Sequence, residues 1–200
     1  MREPFGEVVN AALGRRTLLI TCGLPGTWKT ETAEEISKIK GYPILRTDLI
    51  RTEVLRNEDF FDEKVASDMG KRELVYDETF RRAEDLLKKG ESVILDATFV
   101  TQELRRRAAA IAAKYNMTFA ILQTRCSEEV SISRILRRTK EDYQSNALTR
   151  QAYLNNKKKF ETVDLDDLKK RHPKLPILHL TVDTEHDRPE DWYIISMEKR

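Results

Sequence analysis

From residue 17 onward, short apolar runs alternate with longer segments whose apolar positions recur every three or four residues, the rhythm of buried strands separated by amphipathic helices. The runs at 17–21, 42–46, 92–95, 118–123 and 177–182 predict five strands. Between 68 and 89, Tyr76, Phe80, Ala83 and Leu87 follow one another at intervals of four, three and four, the stripe of a half-buried helix, and Gly90 is placed to stop it. Residues 31–39, 102–115, 128–140 and 148–160 predict further helices. The polar stretch 141–146 is weakly patterned and reads as a candidate mobile loop within a lid region at about 134–150. Ahead of residue 17 the pattern predicts one short helix and a turn at Gly14, and there is no internal repeat or low-complexity tract. Alternating strand and helix implies an α/β sandwich of three layers, a five-stranded parallel sheet covered by helices.

Composition narrows this picture without changing it. The chain has 200 residues, 40% of them hydrophobic, enough for one substantial core and short for two. We therefore expect a single domain over 1–200, with 1–15 as an N-terminal extension. The longest apolar runs are strand-sized, far below the roughly 20 residues that cross a bilayer. Met1-Arg2-Glu3-Pro4 lacks the basic-then-apolar plan of a secretory signal, so a cytoplasmic location is expected. Cys22 and Cys126 read as separate thiols in a reducing compartment. The charged residues nearly balance at +2, so no global field marks an obligate nucleic-acid binder. Lys157-Lys158-Lys159 reads as a solvated helix face, and His172, His179 and His186 lack metal-ligand spacing.

The strongest chemical signal is Gly23-Leu24-Pro25-Gly26-Thr27-Trp28-Lys29-Thr30, set between a buried strand and a helix. An anion-binding loop needs backbone N–H groups converging at a helix N-terminus, a cation that reaches the terminal phosphates and a hydroxyl for Mg²⁺. Gly23 and Gly26 let the backbone turn, Lys29 is the cation and Thr30 the hydroxyl, which together predict a nucleoside triphosphate site. One position departs from the usual pattern. Glycine ordinarily stands immediately before the lysine, and here that residue is Trp28. Either an outward indole is tolerated, or the cradle is distorted and the chain holds nucleotide without efficient turnover, as a regulatory module.

Other charged positions fall where ligands bind in parallel sheets, at the carboxyl ends of strands. Asp48 and Arg51 follow the second strand three residues apart; they suit a general base with an acceptor-orienting arginine, and equally an N-cap with a surface ion pair. Asp96 ends the third strand, as a holder of the metal or acceptor, or as a turn-former. Arg134, Arg137 and Arg138 lie on the helix before the polar loop, where they can reach a moving phosphoryl group or simply face water.

Taken together, GLPGTWKT, TDLIR, VILDATF and the arginine-rich helix resemble the P-loop kinase family that includes polynucleotide kinases, zeta-toxin-like kinases and gluconate and chloramphenicol kinases. The resemblance spans about 16–160. It implies a P-loop NTPase-type fold with a helical lid, ATP and Mg²⁺ as co-substrates, and a hydroxyl-bearing acceptor, with a nucleic-acid 5′-hydroxyl or a small molecule as candidates. It further implies Lys29 and Thr30 at the phosphates and metal, Asp48 as general base beside Arg51, Asp96 near acceptor and metal, and Arg134 and Arg138 as lid arginines.

Overall fold

The structure, a computed structural model, describes residues 1–56, 69–138 and 148–200. In chain order these form strand β1 (Glu3–Pro4), helix α1 (Phe5–Ala12), β2 (Thr17–Cys22), α2 (Lys29–Lys40), β3 (Ile44–Arg46), α3 (Thr47–Val54), α4 (Met69–Lys88), β4 (Val93–Asp96) and α5 (Gln102–Lys114). The chain continues through β5 (Thr118–Arg125), α6 (Glu128–Leu136), α7 (Arg150–Lys159), α8 (Leu165–Arg171), β6 (Ile177–Asp183) and β7 (Tyr193–Lys199). Among the described residues no helix is long and apolar enough to cross a membrane.

All the strands form one sheet in the order β1-β7-β6-β5-β2-β4-β3. The five predicted strands are its parallel ones, with ends that agree within two residues. Among the described residues the sheet nevertheless has seven strands where five were expected. β7 runs antiparallel to β6, and the two-residue β1 runs antiparallel to β7. Both additions escape a pattern reading for the same reason. Parallel strands are covered on both faces and read as continuous apolar runs, as in β2, where every residue is buried. β7 is mostly half-exposed and ends in Glu198-Lys199, so its run is broken.

Two apolar layers sandwich the sheet. On one face Leu18, Ile20, Leu95 and Phe119 meet Tyr76, Phe80, Ala83 and Leu87 of α4 and Ala108 and Ala112 of α5. On the other, Leu19, Ile94, Ala120 and Leu180 meet Ala33 and Ile36 of α2 together with Phe5, Val8 and Val9 of α1. The N-terminal extension thus packs into the core, where the Phe5 ring stands edge-on to Trp192 at 5.7 Å. Local chemistry starts and stops the helices: Thr101, Ser127, Thr149 and Asp164 accept N-cap hydrogen bonds, and Gly41 ends α2 in the left-handed region. The short α8 was not anticipated. The predicted polar loop 141–146 and most of the lid region fall outside the described residues, as does most of 57–71.

Candidate nucleotide and phosphoryl-transfer site

β2 is where the sheet order reverses: the chain leaves it toward β3 and β4 on one side, then returns to β5 and β6 on the other. A crevice opens at such a switch point beyond the carboxyl ends of the strands. The loop 23–28 leaves β2 there and delivers Lys29 and Thr30 into the first turn of α2, whose N-terminus carries the positive end of the helix dipole.

The loop is tightly packed against β5 and α6. A Cβ on Gly23 would stand 2.5 Å from the Thr124 hydroxyl, and one on Gly26 would stand 2.4 Å from the Ser131 carbonyl oxygen. Gly26 also has φ 81°, a conformation that favours glycine. Thr27 Oγ1 donates to the Leu24 carbonyl at 2.8 Å and lies 2.6 Å from Thr124 Oγ1, while Thr184 Oγ1 donates to the Thr27 carbonyl at 3.0 Å. Lys29 Nζ donates to the Leu24 carbonyl at 2.7 Å, inside the ring that the loop makes. Burial pushes the Lys29 ammonium below its ordinary range, and nearby Asp96 partly offsets that. A polyphosphate would offset it further, because a buried cation is stabilised by an opposite charge.

Asp96 closes the β4 side. It is buried, accepting from Thr30 Oγ1 at 2.6 Å and from Thr21 Oγ1 at 3.1 Å. Burial raises its pKa, the Thr30 hydrogen bond opposes this, and the charge of Asp48 adds to it. A hydroxyl and a carboxylate in contact are hard oxygen donors. Among the described residues no cluster of three or more His, Cys, Asp or Glu could hold a metal. By the chemistry of its two oxygens the pair suits a hard cation such as Mg²⁺, which takes few protein ligands and completes its shell with phosphates and water.

Asp48 lies in the first turn of α3 and accepts a hydrogen bond from Arg51, while Thr47 Oγ1 donates to the Asp96 carbonyl at 3.0 Å. That bond ties α3 to the end of β4. Asp48 is near enough to influence both Lys29 and Asp96. Two further residues escaped the sequence reading of the site. Tyr76 is the core position the pattern predicts, but burial also raises the pKa of its hydroxyl, with Thr98, Arg72 and Arg51 close by. Glu31, read only as helix, is held above the usual carboxylate range by burial, with Arg138 and Lys29 close by. Its place directly after Thr30 was the available signal for a charge beside the loop.

The two predicted lid arginines part company. Arg138 lies close enough to Lys29 and Glu31 to influence both. Arg134 is wedged behind the loop, its side chain 1% exposed. Its guanidinium donates to Asp187 Oδ1 and to the carbonyls of Gly26, Thr184 and Glu185. A role over the moving phosphoryl group would require it to leave those partners. Trp28 adopts φ 57°, ψ 37°, a left-handed conformation that costs a bulky residue about 1–2 kcal/mol.

Comparison with known proteins adds the family context. A family model described as an AAA domain, AAA_33, matches residues 18–163. The uncharacterized protein Rv2004c of Mycobacterium tuberculosis (strain ATCC 25618 / H37Rv) is 32% identical over 120 residues, 58% of this chain. The match spans only 24% of that longer protein. Among solved structures, a gluconokinase from Sinorhizobium meliloti 1021 superposes with a TM-score of 0.60 at 16% identity, covering 88% of this chain and 86% of its own. Kti12 from Chaetomium thermophilum, solved with ADP-AlF3, superposes with a TM-score of 0.53 at 19% identity, covering 72% of this chain and 80% of its own.

Proposed function

We propose, from the premise that this chain belongs to the AAA_33 family of AAA domains and has the fold of P-loop kinases, that it transfers the γ-phosphoryl group of ATP to an alcohol. The observation that carries this reading is the convergence at one sheet edge of Lys29 and Thr30 from α2, Asp96 from β4 and the Asp48–Arg51 pair from α3. The loop amides and Lys29 bind the polyphosphate. Thr30 and Asp96 would hold Mg²⁺, which would neutralise phosphate charge. Asp48 accepts the proton of the acceptor hydroxyl as its oxygen bonds to the γ-phosphorus, while the bond to the β–γ bridging oxygen breaks and ADP leaves. Arg51 orients the acceptor, and Arg138 meets charge on the group in transit.

The acceptor classes to test are 5′-hydroxyl RNA and DNA on one hand, and hydroxylated metabolites, sugar acids included, on the other. Purified protein with ATP and Mg²⁺ is expected to phosphorylate one of them. A nucleic-acid acceptor would show steep salt dependence and a small metabolite would not. Asp48→Ala is expected to lower transfer by about 10²–10⁴-fold, the usual worth of a general base, with ATP affinity little changed; undiminished transfer would remove Asp48 from its role. The strained Trp28 favours one rival reading, a nucleotide holder without turnover. It predicts ATP binding with no product from any acceptor.

A further inference from the structure

The left-handed turn at residue 28 sits immediately before Lys29, so it decides where the loop amides and the ammonium point. A tryptophan there would escape to extended backbone unless something restrained it. The restraint is visible. Indole Nε1 donates to Asp187 Oδ1 at 3.2 Å. The Arg134 guanidinium lies 4.6 Å from the indole centroid, and its Nε and Nη2 donate to that same Asp187 oxygen at 3.0 and 2.9 Å. Its Nη1 donates to the Gly26 carbonyl at 3.3 Å. One buried guanidinium therefore grips the turn at both ends, through the carbonyl of residue 26 and the ring of residue 28. Asp187 closes the triangle.

The surroundings agree with a built arrangement. Arg134 also donates to the carbonyls of Thr184 and Glu185, which fixes it to the segment carrying Asp187. The indole packs against the apolar cluster that includes Val182 and Trp192, on the β6 side of the loop. Cation stacking on a ring and charge-assisted hydrogen bonds are the contacts able to offset backbone strain.

We infer that Trp28, Arg134 and Asp187 form a clamp that replaces the freedom of the missing glycine and holds the phosphate cradle open, so that Arg134 and Asp187 are positioning residues for nucleotide binding. This rests on the nucleotide-site reading above and goes beyond it, because it makes the tryptophan loop dependent on residues far away in sequence.

The test is a double-mutant cycle on Mg²⁺-ATP affinity, measured by calorimetry on the wild type, Asp187→Ala, Trp28→Gly and the double variant. Asp187 is largely exposed, so its truncation is expected to leave the fold intact, which circular dichroism checks. Asp187→Ala is expected to weaken ATP about tenfold, or about 1.4 kcal/mol. With Trp28→Gly already in place, the same truncation should change affinity by no more than about twofold, since the clamp then has nothing to restrain. Equal losses in both backgrounds, or no loss in either, would overturn the clamp while leaving the nucleotide site standing. A wild type that fails to bind while Trp28→Gly binds would overturn it in favour of a blocking indole. Failure of all four proteins to bind any nucleotide would remove the nucleotide site, and the clamp with it.

Discussion

The two flanks of β2 treat the phosphate loop differently. On the β4 flank the contacts are chemical: Asp96 takes hydroxyl hydrogen bonds from Thr21 and Thr30, and Asp48 stands close by. On the β5 flank they are steric and conformational: Thr124 and Ser131 crowd the glycines, and Arg134 grips the turn. One side holds the groups proposed above to meet metal, phosphate and acceptor; the other gives the loop its shape. On the proposed reading, nucleotide binding and transfer draw on both flanks, although only one carries groups that would touch substrate.

Substitutions on each flank sharpen the division. Within the loop and the helix it opens, the largest effect is expected from Lys29→Ala, which removes the buried cation and, on the proposed reading, should lower turnover by about 10²–10³-fold, the range seen when one preorganised charge-stabilising group is lost. Single-turnover kinetics would check it, and a loss below about tenfold would contradict the assignment. On the shaping flank Gly26→Ala should destabilise the fold by about 1–3 kcal/mol, because the new methyl meets backbone that cannot easily retreat. Gly41→Ala is the control: its φ, 71°, is also positive but nothing lies within 4 Å, so only about 1 kcal/mol of backbone cost is expected. Denaturant midpoints would separate the two, and equal losses would mean that the contact with Ser131 contributes nothing.

The smallest effect lies away from both flanks. His179 on β6 hydrogen-bonds Gln123, and burial lowers its pKa below the ordinary 6.5. The unfolded chain therefore binds a proton that the folded chain refuses, so stability is complete above about pH 6.5 and falls as pH drops below it. Thermal midpoints at pH 7.5 and 5.5 should differ by more in the wild type than in His179→Gln; parallel curves would show that other groups dominate.

What the sequence revealed follows from how far each determinant reaches. The parallel strands, the glycines, Lys29-Thr30 and the carboxylates at strand ends are local patterns, and the structure places them where parallel topology requires. The seven-residue α8 has only Leu165 and Leu168 buried, too little periodicity to stand out. The Trp28 environment was illegible for another reason: Asp187 reaches the indole from 159 positions along the chain, and no window of sequence contains both. Arg134 looked like a lid residue because its helix precedes a polar loop, whereas its guanidinium is held between the phosphate loop and the segment that follows β6.

The pairing of β1 with β7 places the first strand at the outermost position of the sheet, four strands from β2. At about 4.8 Å per strand that is roughly 19 Å from the root of the phosphate loop. Anchoring the molecule to a sensor surface through its amino terminus should therefore leave the mouth of the crevice facing solution, so that tethered and free protein report the same ATP affinity.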